Sequence, residues 1–145
     1  MQLFKKPFQL LTIDELYQLL KLRVDVFVVE QDCAYPELDG KDQQSTHYWF
    51  QEGEDLAACL RTYERKSGQY AIGRIATDHN YRGQRLAAKL IEIAINDIKS
   101  IEGAKSILLN AQSHLIPYYE GFGFKVCSKE YLEDGIPHTD LEMFL

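Results

Sequence analysis

Cysteine is scarce in this chain: three in 145 residues, at positions 33, 59 and 127. The number is odd and the spacings are wide, with no C-x-x-C or Cys/His ligand pattern, which excludes a disulfide scaffold or a small zinc module. Reduced thiols in a cytoplasm are expected, with Cys59 and Cys127 buried in strands and Cys33 in a loop without a nucleophilic role. Long uncharged apolar runs are missing too. The start, Met1 to Asp14, carries Lys5 and Lys6 and reads as neither signal peptide nor membrane span. Basic residues are outnumbered, 16 against 22 acidic ones, for a net charge of −6. That balance argues against non-specific nucleic-acid binding and mildly favours a cationic acceptor such as an amine, beside its plain meaning of a solvated acidic surface. No Gly-Lys-Ser/Thr closes a Walker loop and no G-x-G-x-x-G occurs, so the two familiar nucleotide signatures are absent. Repeats, low-complexity tracts and linkers are absent as well, and residues 1–145 read as one domain.

What is present is a regular succession of elements. A short apolar segment in residues 1–11 suits an edge strand. Thr12 and Glu15 form a capping box, and behind it Leu16, Leu19, Leu20 and Phe27 share one helix face with Arg23 among them. Arg23 either snorkels to water or pairs with a carboxylate near a cleft. The β-branched run Val26–Val29 ends this helix poorly or begins an extended piece. The loop that follows carries Glu30, Asp32, Glu37, Asp39 and Asp42; none of the calcium-loop spacing is met, so no metal is expected. Strands follow over His47–Gln51, about Leu56–Tyr63 and Tyr70–Thr77, then a helix from Gly83 to about Ser100 whose apolar side runs from Leu86 to Ile98. A strand at Ser106–Leu109, a short helix at His114–Gly121 and a closing strand pair at Lys125–Ser128 and Thr139–Phe144 complete the chain, with a turn-rich connection over 132–138. The order predicts an α/β (α+β) fold: a single mixed, mostly antiparallel sheet with helices on both faces.

The stretch around which the rest is organised is Tyr70–Ala87. A strand runs through the polar turn Asp78-His79-Asn80 into Tyr81-Arg82-Gly83-Gln84-Arg85-Leu86-Ala87 and a helix. A turn entering a helix leaves unpaired backbone N–H groups at a positive dipole end, Gly83 permits close approach, and Arg82 and Arg85 add charge: a phosphate-binding strand–turn–helix, or an ordinary loop with solvated arginines. Arg82 to Ala87 resembles motif A of the GNAT acetyltransferases, Arg/Gln-x-x-Gly-x-Gly/Ala, with Arg85 in place of the central glycine. Asn110, Tyr119 and Gly123-Phe124 resemble motif B of the same family. Val26–Gln31, Tyr35–Asp42, Asn110–Gln112 and Asp134–His138 are similar to the ElaA-type subfamily, in which a basic residue at the Arg85 position is familiar. The resemblance covers nearly the whole chain.

That resemblance implies the acyl-CoA N-acyltransferase fold and acetyl transfer from acetyl-CoA to a primary amine by direct attack in a ternary complex. The alternative is a non-catalytic module that holds acyl-CoA or a partner on the same fold. Backbone groups of Ile75, Ala76 and Thr77 would receive the thioester carbonyl, and Arg82, Gly83, Gln84, Arg85, Leu86 and Ala87 the pyrophosphate. Asn110 would hydrogen-bond the pantetheine arm. Tyr119 is the implied general acid for the departing thiolate; a packing role is its alternative, and Tyr118 reads as core. Glu30, His47 and His138 are the candidates for deprotonating the amine. Phe27 and Arg74 are expected to face the acceptor, a small-molecule amine or a protein amino group. No nucleic acid or membrane partner is expected, and the exposed edges of such a sheet leave room for a homodimer.

Overall fold

A computed structural model describes every residue from Met1 to Leu145. Its strands are β1 (Gln2–Pro7), β2 (Thr46–Glu52), β3 (Asp55–Lys66), β4 (Gln69–Thr77), β5 (Ser106–Gln112), β6 (Lys125–Val126), β7 (Tyr131–Glu133) and β8 (Ile136–Phe144). They form one sheet in the order β1-β2-β3-β4-β5-β8-β6, with β7 also paired to β8. Every neighbouring pair is antiparallel except β4 and β5, which are parallel. The helices are α1 (Ile13–Val24), α2 (Leu86–Lys99) and α3 (Ile116–Glu120).

Local chemistry explains the helix boundaries. Thr12 accepts from the Glu15 N–H at 3.0 Å while Glu15 accepts from the Thr12 N–H at 2.9 Å, so the capping box starts α1 as the sequence predicts. The β-branched run beyond α1 departs from expectation. It widens into a π-helical turn over Asp25–Glu30, with the Gln31 N–H donating to Val26 O at 3.3 Å. Such a turn inserts one extra residue into the helical repeat and is frequent at functional sites.

The sheet is covered on both faces. On one, Leu19 and Leu22 of α1 pack with Trp49, Leu56, Cys59 and Ala76. On the other, Leu90, Ile91, Ala94 and Ile98 of α2 are all but inaccessible and pack on Tyr48, Leu60, Ile72 and Ile107. Burying each of the larger α2 side chains contributes about 1.5–3 kcal/mol, which anchors the start of that helix beside the sheet. Two expectations need correction here. Cys127 follows the two-residue strand β6 and is exposed rather than buried. The connection over 132–138 is a hairpin: Asp134 (φ +51°) and Gly135 (φ +77°) make a two-residue turn that pairs β7 with β8.

Candidate active site

The site begins with a defect in the sheet. Strands β4 and β5 pair only from Gln69–Ala71 to Ser106–Leu108; beyond those three positions they diverge, while β3 and β8 remain paired to their outer sides. A bulge accounts for the divergence. Between Cys59↔Ala76 and Arg61↔Gly73, β3 advances two residues and β4 three, and Arg74 takes a left-handed φ of +50°. A non-glycine residue there costs about 1–2 kcal/mol, and bulges bend the strand that carries them. The result is a V-shaped cleft of about 950 Å³ whose walls include Ile75, Ala76 and Thr77 on one side and Leu109 to Gln112 on the other. On the β5 side of this outer limb of β4, no strand takes up the backbone groups.

Next to the cleft lies the turn into α2. The sequence predicts a helix from Gly83; the structure delays it to Leu86, because Gly83 (φ +82°) and Arg85 (φ +59°) both turn the backbone left-handed. The first bond into the helix runs from the Lys89 N–H to Arg85 O at 3.0 Å. No N–H from Arg82 through Ala88 has an acceptor within the chain. Consecutive free N–H groups at the positive end of a fourteen-residue helix favour negative charge beside them. Beside them is a second hollow of about 410 Å³ whose walls include Tyr81, Tyr118 and Phe122 along with Arg85. The Arg85 side chain is 75% exposed and 3.9 Å from Glu92, and Gln84 is exposed as well.

Tyr119 is buried on α3, edge-on at 5.2 Å between ring centroids to Tyr118, which is exposed rather than core. Burial, and secondarily the Tyr118 hydroxyl, push its pKa up to about 12. Its hydroxyl makes no hydrogen bond within the chain, yet it is not sealed off: Tyr119 walls the cleft. Asn110 also borders the cleft, with its amide donating to Asp140 Oδ1 at 2.6 Å, which leaves its own Oδ1 without a donor.

The opposite wall is built from the acidic loop. Arg23 does not snorkel; at 2% exposure it donates to Glu37 Oε2 and Asp42 Oδ1, each at 2.7 Å. Arg61 grips Asp39 and Asp42, and Arg74 donates to Glu37 Oε2 at 2.8 Å. Tyr35 closes the cluster, donating to Glu37 Oε1 at 2.6 Å. Three guanidinium groups and three carboxylates thus cancel in charge while pinning the loop onto β3 and β4. Burial alone would raise the pKa of Asp39 and Asp42, but the hydrogen bonds and charges of the arginines outweigh it and hold both below the usual carboxylate range. The cluster also fixes Arg74 in its bulge. Neither Arg61 nor the pairing of Glu37 is legible from the sequence, where the loop carboxylates read only as a group.

Beyond the π-turn, residues 30–33 strap the mouth of the V. Glu30 accepts from Arg82 at 2.6 Å, Gln31 from Gln112 at 3.3 Å, and the Cys33 thiol lies 3.8 Å from Asp134 O. Phe27, half-buried behind the strap, lines the cleft with Arg74. The hydrogen bond and charge of Arg82 hold Glu30 below the usual carboxylate range. His47 is elsewhere: it is buried under the acidic loop, 3.0 Å from Asp42 O, and burial pushes its pKa down. His138 does reach the cleft, with Nδ1 2.8 Å from Ile136 O and Nε2 3.5 Å from Glu133. The structure therefore gathers Arg74–Thr77, Arg82, Asn110, Tyr119, Glu30 and His138 around one cleft and leaves His47 outside.

The same arrangement occurs in known proteins. Residues 16–145 match the family model described as an acetyltransferase (GNAT) domain. An acyl-CoA N-acyltransferase from Pseudomonas aeruginosa is 38% identical, with a TM-score of 0.93 over 98% of both chains. Protein ElaA of Escherichia coli is 34% identical over 90% of this chain and 88% of its own. The crystal structure of ElaA superposes with a TM-score of 0.92 over 99% of both chains. A Bacillus subtilis acetyltransferase solved in complex with CoA, at 19% identity and a TM-score of 0.70 over 99% of this chain and 98% of its own, shares the fold. With most of its length matched by the family model and by relatives above 30% identity, the chain belongs to the GNAT acetyltransferase family, in the group that includes ElaA.

Proposed function

We propose that this protein is an N-acetyltransferase that moves the acetyl group of acetyl-CoA to a primary amine by direct attack in a ternary complex. The observation that carries the proposal is the run of free N–H groups from Arg82 to Ala88 opening beside a cleft in which the Tyr119 hydroxyl has no partner. The CoA complex of the B. subtilis fold relative supports it. Acetyl-CoA would supply an activated acetyl thioester and a thiolate leaving group.

The chain's own residues meet what that chemistry needs. The N–H groups of Gly83, Gln84, Arg85, Leu86 and Ala87, with the Arg82 guanidinium, receive the pyrophosphate. Asn110 accepts from the pantetheine arm through its free Oδ1. Backbone groups of Ile75, Ala76 and Thr77 on the unpaired limb of β4 face the thioester carbonyl, where fixed donors count most as charge develops. Holding the two substrates together supplies effective concentration. Tyr119 is protonated at neutral pH and gives its proton to the thiolate. His138 receives a proton from the amine. In balance, an ammonium and a thioester become an amide, a thiol and one released proton.

Two measurements test this. Calorimetric titration should show micromolar binding of CoA, and thiol release should report turnover with primary amines. Tyr119→Phe should keep CoA affinity and lower kcat by roughly a hundredfold or more. An unchanged kcat removes Tyr119 as the acid. CoA binding without turnover on any amine leaves a CoA-binding module, and no CoA binding to the folded protein overturns the proposal.

A further inference from the structure

The hairpin β7–β8 carries a carboxylate that the functional reading leaves unused. Tyr131 pairs with His138 and Glu133 with Ile136 across the Asp134-Gly135 turn, so these four side chains share one face of the hairpin. Three of them, Glu133, Ile136 and His138, line the cleft.

The tautomer of His138 follows from its partner. A carbonyl oxygen only accepts, so the 2.8 Å contact with Ile136 O places the ring proton on Nδ1. In its neutral form the ring then holds its lone pair on Nε2. The ring lies against Tyr131, 25° from parallel at 6.1 Å, and Tyr131 is itself tied to Asp140 at 2.5 Å, so the orientation is fixed. Facing Nε2 at 3.5 Å is Glu133 Oε2, whose side chain is 54% exposed and has no other partner. A neutral imidazole nitrogen and a carboxylate oxygen are both acceptors. Set side by side, they call for a donor with at least two N–H groups and a positive charge.

Resting on the acyl-transfer reading, we propose that Glu133 and His138 together seat the acceptor's ammonium group, with Glu133 as the residue that selects protonated primary amines. One N–H of the ammonium donates to Glu133. A second points to His138 Nε2, which takes that proton and frees the nitrogen lone pair; the C–N bond then forms as the C–S bond breaks, the thiolate takes the proton of Tyr119, and the second proton shed by the nitrogen restores the tyrosine. The other two candidates lack this position: Glu30 stands on the strap beside Arg82 rather than on the hairpin, and His47 lies under the loop. Arg61 and Arg74 border the cleft along β3 and β4 but are already paired with the carboxylates of the acidic loop, whereas at the hairpin Asp134 adds a second exposed carboxylate.

The test is steady-state acetyl transfer to butylamine and putrescine, which are cationic, and to aniline, which is neutral, with CoA affinity measured in parallel. Glu133→Gln should raise KM for the two cationic amines at least tenfold, lower kcat much less, narrow the preference over aniline and leave CoA affinity unchanged. Glu133→Asp should restore most of the lost KM. His138→Gln should lower kcat with CoA affinity intact. Long-range nitrogen–proton spectra of the histidine rings of the wild-type protein give a readout that needs no turnover, with the His138 proton expected on Nδ1. Unchanged KM in Glu133→Gln, or a proton on Nε2, overturns the proposal. So does a wild-type protein that binds CoA but acetylates no cationic amine. Failure of the wild-type protein to bind CoA counts instead against the acyl-transfer reading, whose phosphate turn is separate from the hairpin.

Discussion

Glu30 and Arg82 set up a competition that can be measured. In the free protein Arg82 Nη2 donates to Glu30 Oε2 at 2.6 Å and to Thr77 O at 3.1 Å, so the guanidinium proposed to meet a phosphate already has an anionic partner. The two side chains are 45% and 42% exposed, so water and salt screen the pair and a more highly charged phosphate can displace the carboxylate. Glu30→Gln removes the competitor at nearly constant shape. CoA should then bind roughly two- to fivefold more tightly at low salt, in line with the strength of exposed ion pairs, and the gain should shrink at high salt. Arg82→Ala removes one charge-assisted hydrogen bond, worth about 1.5–3 kcal/mol, and should weaken CoA about ten- to a hundredfold. In the double variant most of the Glu30→Gln gain should vanish, because it acts through Arg82. Calorimetric titration of the four proteins with CoA at two salt concentrations reads all of this. The reasoning is refuted if Glu30→Gln binds CoA no more tightly than the parent, or if its gain persists in full without Arg82.

Arg23→Met should be severe, because it leaves Glu37 and Asp42 short of a partner in the interior. Breaking a buried pair costs about 3–5 kcal/mol. For 145 residues unfolding at about 2.1 cal/mol/K each, that is a fall in Tm of about 10–16 °C. A calorimetric scan showing a change of only a degree or two would refute the role of this cluster as the loop's anchor. Acid should loosen the same loop. Asp39 and Asp42 have lower pKa values folded than unfolded, so their contribution is full above the ordinary aspartate value of about 4 and is lost as pH falls toward their depressed folded values. Denaturant titrations from neutrality down to about pH 3 should show that decline, and a replacement of Asp39 by Asn should flatten it. Turnover, by contrast, needs the protonated form of Tyr119, so the alkaline loss due to this group should appear only as pH nears about 12. An alkaline limb near neutrality that disappears in Tyr119→Phe would contradict its raised pKa.

Much of the frame was legible because its signals are local. The capping box at Thr12 and Glu15 involves residues three apart, and the apolar side of α2 repeats within one helix. The left-handed turn at Gly83 needed only a glycine in the right place, although the same conformation at Arg85, which shortens α2, left no mark in residue type. The hairpin β7–β8 had a local signal as well, since Asp-Gly is a strong marker for a two-residue turn; most of β8 was read as a strand, and β7 was missed because it is only three residues long.

The amino-acid sequence by itself thus determined most of the order of elements, the glycine turn before α2 and the family pattern, each written in residues close together along the chain. The tertiary structure alone decided which charges meet. Arg23 and Glu37 are 14 positions apart, Arg74 and Glu37 are 37, and Arg82 and Glu30 are 52. It alone opened β4 from β5 through one extra residue in a bulge, and it set His138 Nε2 3.5 Å from Glu133. Spacing along a chain carries periodicity and turns; the meeting of distant side chains depends on strand register, which is set only when the whole sheet forms.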